Sequence, residues 1–359
     1  MKIGQVWVTV KQTGMIRRSD ELTIRGKLSS GFGSFTASMY DADVVVLKRP
    51  EPGDIALEVR DWFAEGVRRA TDEPESSLGL GYLLGQRRGL PDELDAALKA
   101  AGLTHIVVAS GYNLTILVRF ARRLFEKTSK YLSLVSAGSM IVGFIAVTGL
   151  SPSMSRAGLV AGLSLLAWYY GRRFHPLVLL PFAMAVTLVV QPSYAWGDIG
   201  WQLSFAAFAG VMIMAPLIHA YFLGDKSENP LRRILIETIS AQLFTLPILL
   251  LSFGQFSIIA PIANLLILPL VPLAMILTFA AGTGALLIPM AAQAFGFPAQ
   301  LLLKYMTATA QYVGGIPWAT QELRIDMVIA VIAYAVLTAA CLYMWRVTRL
   351  QLERTSLVE

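Results

Sequence analysis

Arg156 is the residue with the most chemistry to account for. It stands in Ser151-Pro-Ser-Met-Ser-Arg-Ala157 at the start of an apolar stretch, where a helix dipole disfavours a cation. An arginine held in hydrocarbon costs about 2.5–3.5 kcal/mol on insertion scales, so such a residue faces water, a partner or headgroups. Three roles fit: snorkelling to lipid, pairing with Asp198, or lining a watery path for an anion. Around Asp198 lie Tyr194, Trp196 and Trp201, either an interfacial aromatic belt or a stacking platform for unpaired bases at an outer mouth. Gln202, Ser204, Gln242 and Asn264 are uncharged polar residues inside apolar runs, suited to hydrogen bonds between helices or to contact with a substrate. His105, Ser110 and Asn113, with Thr104, begin the first apolar stretch. On one helix His105 and Asn113 would fall within about 80° of each other and could line the same mouth.

Other chemistries are missing from the sequence. Three histidines lie far apart, at 105, 175 and 219, and Cys341 is the single cysteine, so no zinc or two-metal pattern and no disulfide is expected. Gly79-Leu-Gly-Tyr-Leu-Leu-Gly85 has the wrong spacing for a dinucleotide fingerprint, and neither a phosphate-binding Lys loop nor a nucleophile elbow is present. The expectation is a chain that is not an enzyme, has no cofactor, and leaves hydrolysis of any fuel to another protein.

What must position these residues is a set of membrane helices. The 359 residues are 55% hydrophobic and only 15% charged, with mean hydropathy +0.59, which is the range of a multi-span membrane protein. Charge divides the chain: residues 1–103 hold 14 Lys+Arg and 15 Asp+Glu, whereas residues 104–359 carry a net +7. Within the first region Gln5–Lys11 and Leu22–Leu28 alternate like half-buried strands, Val44–Leu47 is β-branched, and Gly31-Phe-Gly33 reads as a turn. From Asp54 the period becomes helical, with Ile55, Val59, Trp62, Phe63 and Ala70 on one face, suited either to a membrane surface or to packing on the β unit. A further helix is expected over Pro91–Ala101, stopped by Gly102.

Spans are read at roughly 104–121, 131–150, 154–171, 175–191, 200–222, 233–253, an overlong tract at 257–289, a weaker one at 290–314, and 326–346. Pro261, Pro269, Pro272 and Pro289 make the long tract kinked, broken or re-entrant. With 290–314 it must cross an even number of times. Gly158 and Gly162, with Ala157 and Ala161, give span three a small-residue face for helix contact or oligomerisation. Basic residues follow alternate spans: Arg119, Arg122, Arg123, Lys127 and Lys130; Arg172 and Arg173; Lys226, Arg232 and Arg233; Arg346, Arg349 and Arg354. Those loops are cytoplasmic by the positive-inside rule, which puts residues 1–103 outside and the C-terminus inside. An outer domain with no span ahead of it implies a fragment of a longer protein.

Taken in order, Gly102-Leu-Thr-His105 with Ser110-Gly111, Ser155-Arg-Ala157 with Gly171-Arg172, Gly200-Trp-Gln-Leu-Ser-Phe205, Gln242 to Pro247 with Phe253-Gly254 and Ser257, and Asn264-Leu265 to Pro269 resemble the competence domain of the ComEC family. The resemblance covers roughly residues 75–290. It implies an inner-membrane channel that takes up single-stranded DNA during natural transformation, working with an extracytoplasmic DNA receptor and a cytoplasmic ATPase or helicase. It also implies that residues 1–50 are part of an extracytoplasmic OB-like β domain and that Asp54–Thr71 is an interfacial helix. The family's C-terminal metallo-β-lactamase-like nuclease has no counterpart in the sequence, and Asn113 follows Tyr112 where many members have histidine.

The resulting expectation is a polytopic α-helical membrane protein of about eight to nine spans, some broken or interfacial, preceded by a small extracytoplasmic OB-like β-rich domain. Its parts are 1–50 (β domain), 51–103 (amphipathic and interfacial helices) and 104–359 (channel). DNA would pass Arg156, His105, Ser110, Asn113, Gln202, Ser204, Gln242 and Asn264, with Tyr194, Trp196, Trp201 and Asp198 at the outer mouth. Lipid surrounds it, and a homo-oligomer is compatible. The competing expectation is a secondary transporter or exporter of a small anion, with its site in the broken tract.

Overall fold

A computed structural model describes residues 6–10, 21–31, 37–48, 54–86, 89–107, 110–149, 152–172, 176–224 and 229–348. The turn expected at Gly31-Phe-Gly33, together with Arg173, His175, Lys226, Arg349 and Arg354, falls wholly or partly outside these residues.

The N-terminal strands are β1 (Val6–Val10), β2 (Glu21–Arg25), β3 (Leu28–Ser30) and β4 (Ala37–Lys48). Long β4 organises them. Its first half pairs in parallel with β1 (Val6 opposite Ala37) and antiparallel with β3, and its second half pairs antiparallel with β2 (Glu21 opposite Lys48). The two halves meet at Asp41, whose φ of 52° is left-handed, a conformation that the short polar side chain of Asp tolerates. Gly26 lies against this bend: a Cβ there would come within 2.7 Å of the Met39 side chain. The expected strand at Leu22–Leu28 is therefore two strands, and Val44–Leu47 is one end of a longer one.

The helices follow in three groups. First come α1 (Ile55–Ala70), α2 (Glu75–Leu84) and α3 (Asp92–Ala100), then the short α4 (Thr104–Val107). Next are α5 (Gly111–Phe125), α6 (Lys130–Thr148), α7 (Pro152–Tyr169), α8 (Pro176–Val190) and the single turn α9 (Tyr194–Gly197). The last group opens with α10 (Ile199–Ala209), which runs through a π-helical turn, Gly210–Met214, into α11 (Ala215–Leu223); α12 (Pro230–Ser252) follows. Strand β5 (Gln255–Ser257) leads to α13 (Ala260–Ile267), a 3₁₀ turn at Leu268–Leu270, and α14 (Val271–Leu287). A second 3₁₀ turn, Pro289–Ala291, joins α14 to α15 (Ala292–Gly314), and β6 (Thr320–Glu322) precedes α16 (Met327–Thr348).

Among the described residues five helices are long and apolar enough to cross a membrane: Lys130–Thr148, Ile199–Leu223, Pro230–Ser252, Ala260–Leu287 and Met327–Thr348, with Val178–Val190 a shorter apolar helix. The protein is thus a polytopic helical membrane protein with a small β region ahead of it. The expected first span at 104–121 is divided, because Ser110 caps a new helix: its Oγ accepts from the Asn113 N–H. The overlong tract is a broken helix, interrupted at Leu268–Leu270 beside Pro269, whose missing N–H cannot continue the ladder. It folds back against α15 as a hairpin.

One core crosses the boundary expected at residue 103. Leu78, Tyr82, Leu94, Leu98, Leu103 and Ile106 are buried in the same cluster as Ala263, Met275, Leu303 and Met306 of α13–α15. Small residues permit the close approach. A Cβ on Gly66 would lie 2.8 Å from the Gly282 carbonyl oxygen, and one on Gly282 would lie 2.7 Å from Phe63 and Val67. Helix α1 consequently buries Leu57, Ala64, Gly66, Val67 and Ala70, while Ile55, Val59 and Trp62 of the expected apolar face remain exposed. Gly102, at φ 70°, ends α3 as expected and leaves no room for a side chain, since Ala260 Cβ is 2.6 Å from where its own Cβ would stand.

Candidate functional site

Arg156 is set on the second turn of α7. Its guanidinium Nη2 donates to Ser204 Oγ of α10, and its Cζ lies 5.4 Å from the centroid of the Phe205 ring. A Cβ on Gly111, at the start of α5, would be 3.8 Å from the same Nη2. Arg156 therefore sits where α5, α7 and α10 converge. Its Nε is buried with no hydrogen-bond partner, and among the described residues it has no ion pair. This is a cation desolvated on one edge, held by a hydroxyl and a ring.

The pairing of Arg156 with Asp198 is not made. Asp198 is the N-cap of α10, accepting from the Trp201 N–H at 2.6 Å. That local bond needs a side chain only three residues away. Trp201 is likewise no open platform: it is buried, its ring is tilted 51° against Phe205 with centroids 4.6 Å apart, and its indole N–H donates to Thr187 Oγ1 at 3.0 Å. Trp196, 92% exposed, is the aromatic of this group left free for contact, while Tyr194 packs on the Trp201 cluster.

The other polar residues serve varied ends. Asn113 is fully buried, and its amide donates to the Tyr82 and Ile106 carbonyls at 3.1 and 3.4 Å. It ties α5 to α2 and α4. Gln202 donates to the Ala195 carbonyl at 2.8 Å, closing the turn before α10. Gln242 of α12 donates to the Ser257 carbonyl at 2.6 Å, and Ser257 Oγ donates to the Ala100 carbonyl at 2.7 Å, so β5 is braced between α12 and α3. Asn264 is buried with its Oδ1 unpaired. His105 is exposed on α4. The structure thus brings Arg156, Ser204 and the Ser110–Gly111 end of α5 together, and puts Asn113, Gln202 and Gln242 into structural bonds.

Sequence reasoning missed two features. The first is Glu75, a buried carboxylate at the start of α2 that accepts from Gln300 Nε2 and Thr307 Oγ1 of α15, both at 3.1 Å. Its one sequence signal is an acid in a first helical turn, where the dipole favours it. The second is a stripe on α5. Tyr112, Thr115, Arg119 and Arg123 are exposed along one side, at the three-to-four-residue spacing of a helix face, while Leu114 and Ala121 are buried on another. On α12, Arg233 Nε donates to Glu237 at 2.8 Å. Helix α7 packs on both α5 and α10, and α10 packs in turn on α12.

A membrane-integral helical protein with a half-buried cation at a junction of its helices is the class that this fold and site define. A family model described as Competence protein matches residues 82–347, and the chain belongs to that family. The ordered motifs that resemble ComEC proteins all fall within the matched segment. Among curated relatives, ComE operon protein 3 of Bacillus subtilis (strain 168) is 28% identical over 205 residues, covering 55% of this chain and 25% of the relative. An uncharacterized protein of Aquifex aeolicus (strain VF5) is 25% identical over 275 residues, covering 76% of this chain and 62% of the relative. The chain therefore spans only part of either relative. No solved structure matches it significantly.

Proposed function

We propose that this chain forms the membrane path for single-stranded DNA during natural transformation. Competence-family membership supports a part in DNA uptake, and the observation that carries the finer reading is Arg156: a guanidinium where three helices converge, bonded to a hydroxyl, with one N–H unpaired. A phosphate would satisfy that N–H and supply the missing counter-charge. Exposed Trp196 offers a face on which a base could stack. In this reading residues 1–103 face outward as the receiving side, residues 1–50 act as an OB-like β domain, and residues 104–359 carry the path. The C-terminus is cytoplasmic in the plasma membrane. A DNA receptor outside and an ATPase or helicase inside would deliver and pull the strand, and the chain itself performs no catalysis.

The second reading, a transporter of a small anion, draws on the helix broken at Leu268–Leu270 near the unpaired Oδ1 of Asn264, since broken helices form the sites of many transporters. Uptake of labelled single-stranded oligonucleotide into vesicles containing the protein separates the two. Arg156→Ala is expected to abolish uptake and transformation while insertion and folding persist, and Arg156→Lys to retain part of both. Undiminished uptake by the alanine variant would remove the assigned role.

A further inference from the structure

The far ends of α5 and α7 hold a second cationic cluster, which has no part in the reading built on Arg156. We propose that Arg122 and Lys130, set against Trp168 and Tyr169, bind the phosphate of an anionic phospholipid headgroup, and that an exposed apolar stripe of α6 takes the lipid's chains. This site stands independently of the single-stranded DNA reading.

Three helix ends meet here. Gly111 of α5 lies against Arg156 and Ala157 of α7. Trp168 follows Arg156 by twelve residues, so the second meeting of the two helices, Arg122 on Trp168, is about 18 Å from the first. Between α5 and α6 the chain turns tightly: Thr128 and Ser129 both donate their N–H to the Phe125 carbonyl at 2.9 Å. Ser133 Oγ then donates to the Arg122 carbonyl at 3.0 Å, which fixes α6 on this turn of α5. Helix α7 closes at Gly171, whose φ is 67°, with the Arg172 N–H donating back to the Ala167 carbonyl at 2.8 Å. That closure leaves Trp168 and Tyr169 on the last turn.

The Arg122 guanidinium lies 5.1 Å from the Trp168 ring centroid; the Lys130 ammonium lies 5.6 Å from the same centroid and 5.8 Å from that of Tyr169. Two like charges thus share one ring. The Nε of Arg122 is buried without a partner, and among the described residues neither cation has an ion pair. Lys130 is also the first residue of α6, whose first turn holds no acid, although a helix dipole disfavours a cation there. A phosphate relieves both faults, because it accepts the free N–H and offsets the crowded charge. What borders the cluster favours lipid as its source. Trp and Tyr gather at membrane interfaces, and basic pockets between membrane helices hold anionic headgroups. Beyond Lys130, Tyr131, Val135 and Val142 are exposed along α6 at the spacing of one helix face. Gly138 notches that stripe, with nothing within 4 Å of where a Cβ would stand. Charge at the helix end and an open apolar track beside it match a headgroup and its chains.

The test uses the full chain in detergent, with native mass spectrometry following the first adduct of phosphatidylglycerol and, separately, of phosphatidylcholine. The unaltered chain should hold phosphatidylglycerol the more tightly. Arg122→Gln/Lys130→Gln should weaken that adduct about thirtyfold, the worth of two basic groups beside an anionic headgroup, and leave phosphatidylcholine unchanged, whereas Arg122→Lys should retain most of the preference. Equal affinity for the two lipids, or phosphatidylglycerol held as tightly by the glutamine variant, overturns the assignment. Displacement of the lipid by an excess of inorganic phosphate assigns the cluster to a free anion and overturns it too. Fluorescent oligothymidylate bound over a salt series separates strand from lipid: the glutamine variant should keep the slope of log affinity against log salt, and a reduced slope with the lipid adduct intact gives the cluster to the strand and counts against the proposal. Should the glutamine variant not insert, acetylation of the unaltered chain decides. Lys130 should be protected in phosphatidylglycerol nanodiscs more than its exposed neighbour Lys127, and equal modification of the two rules the site out.

Discussion

Two parts of the membrane domain are built on opposite plans. Around α2, α14 and α15 the packing is dense and nearly free of charge: Leu78, Met275, Leu303 and Met306 are each at most 1% exposed, and glycines bring backbones into contact. Around α5, α7, α10 and α12 the helices carry arginines, an exposed polar stripe, a buried Nε without a partner and a glycine-bearing π-helical turn. Packing energy holds the first part in one arrangement. Buried polar atoms without a partner occur in both, on Ser76, Ser77 and Thr278 in the first and on Arg122, Arg156 and Ser240 in the second, but only in the second are any of them cationic, and a buried cation is the group an anionic ligand would meet. Scaffold and path are thus separable, and substitutions should divide in the same way: stability lost in the first part, transport lost in the second.

The largest effect is expected at Gly296 of α15. A Cβ there would overlap the carbonyl of Ala70 at the end of α1, and backbone cannot step aside as a side chain can. Gly296→Ala should yield no monodisperse protein on size exclusion; normal yield would break the claim that this contact is tight. Next, Leu303→Ala should lower stability by about 2–5 kcal/mol, read as a shift in the midpoint of unfolding by denaturing detergent. Asn113→Ala tests the border between the two parts, because it removes the bonds to Tyr82 and Ile106. Leaving buried carbonyls unpaired costs about 1–3 kcal/mol, so it should destabilise measurably while the salt dependence of strand binding stays unchanged. If the salt slope moves instead, Asn113 belongs to the path. The smallest effect sharpens the comparison within α7. Nothing lies within 4 Å of a Cβ on Gly162, whereas one on Gly158 meets Ile145. Gly162→Ala should therefore stabilise by up to about 1 kcal/mol through helix propensity, and Gly158→Ala should not.

Sequence reading reached furthest where the controlling interactions are local. Gly102 ended a helix because its φ of 70° suits glycine, and the proline-rich tract broke where Pro269 denies the helix an N–H. Ser110 and Asp198 each cap a helix through a bond spanning three residues; those caps are legible in principle, although a mouth residue and a salt-bridge partner were expected in their place. Periodicity also misled at α1. It groups apolar residues on a face, but the neighbouring α14 and α15 selected the small ones, Ala64, Gly66 and Ala70, for contact.

By itself, then, the sequence determined that the chain is a polytopic helical membrane protein of the competence family, because hydropathy and motif order accumulate along the chain whatever the neighbours are. Tertiary structure alone decided that Arg156 meets Ser204, 48 residues away, and that Asn113 turns into the core. The physical reason is that a helical period fixes the direction of a side chain on its own helix. Which helix stands in that direction is chosen by the packing of all of them.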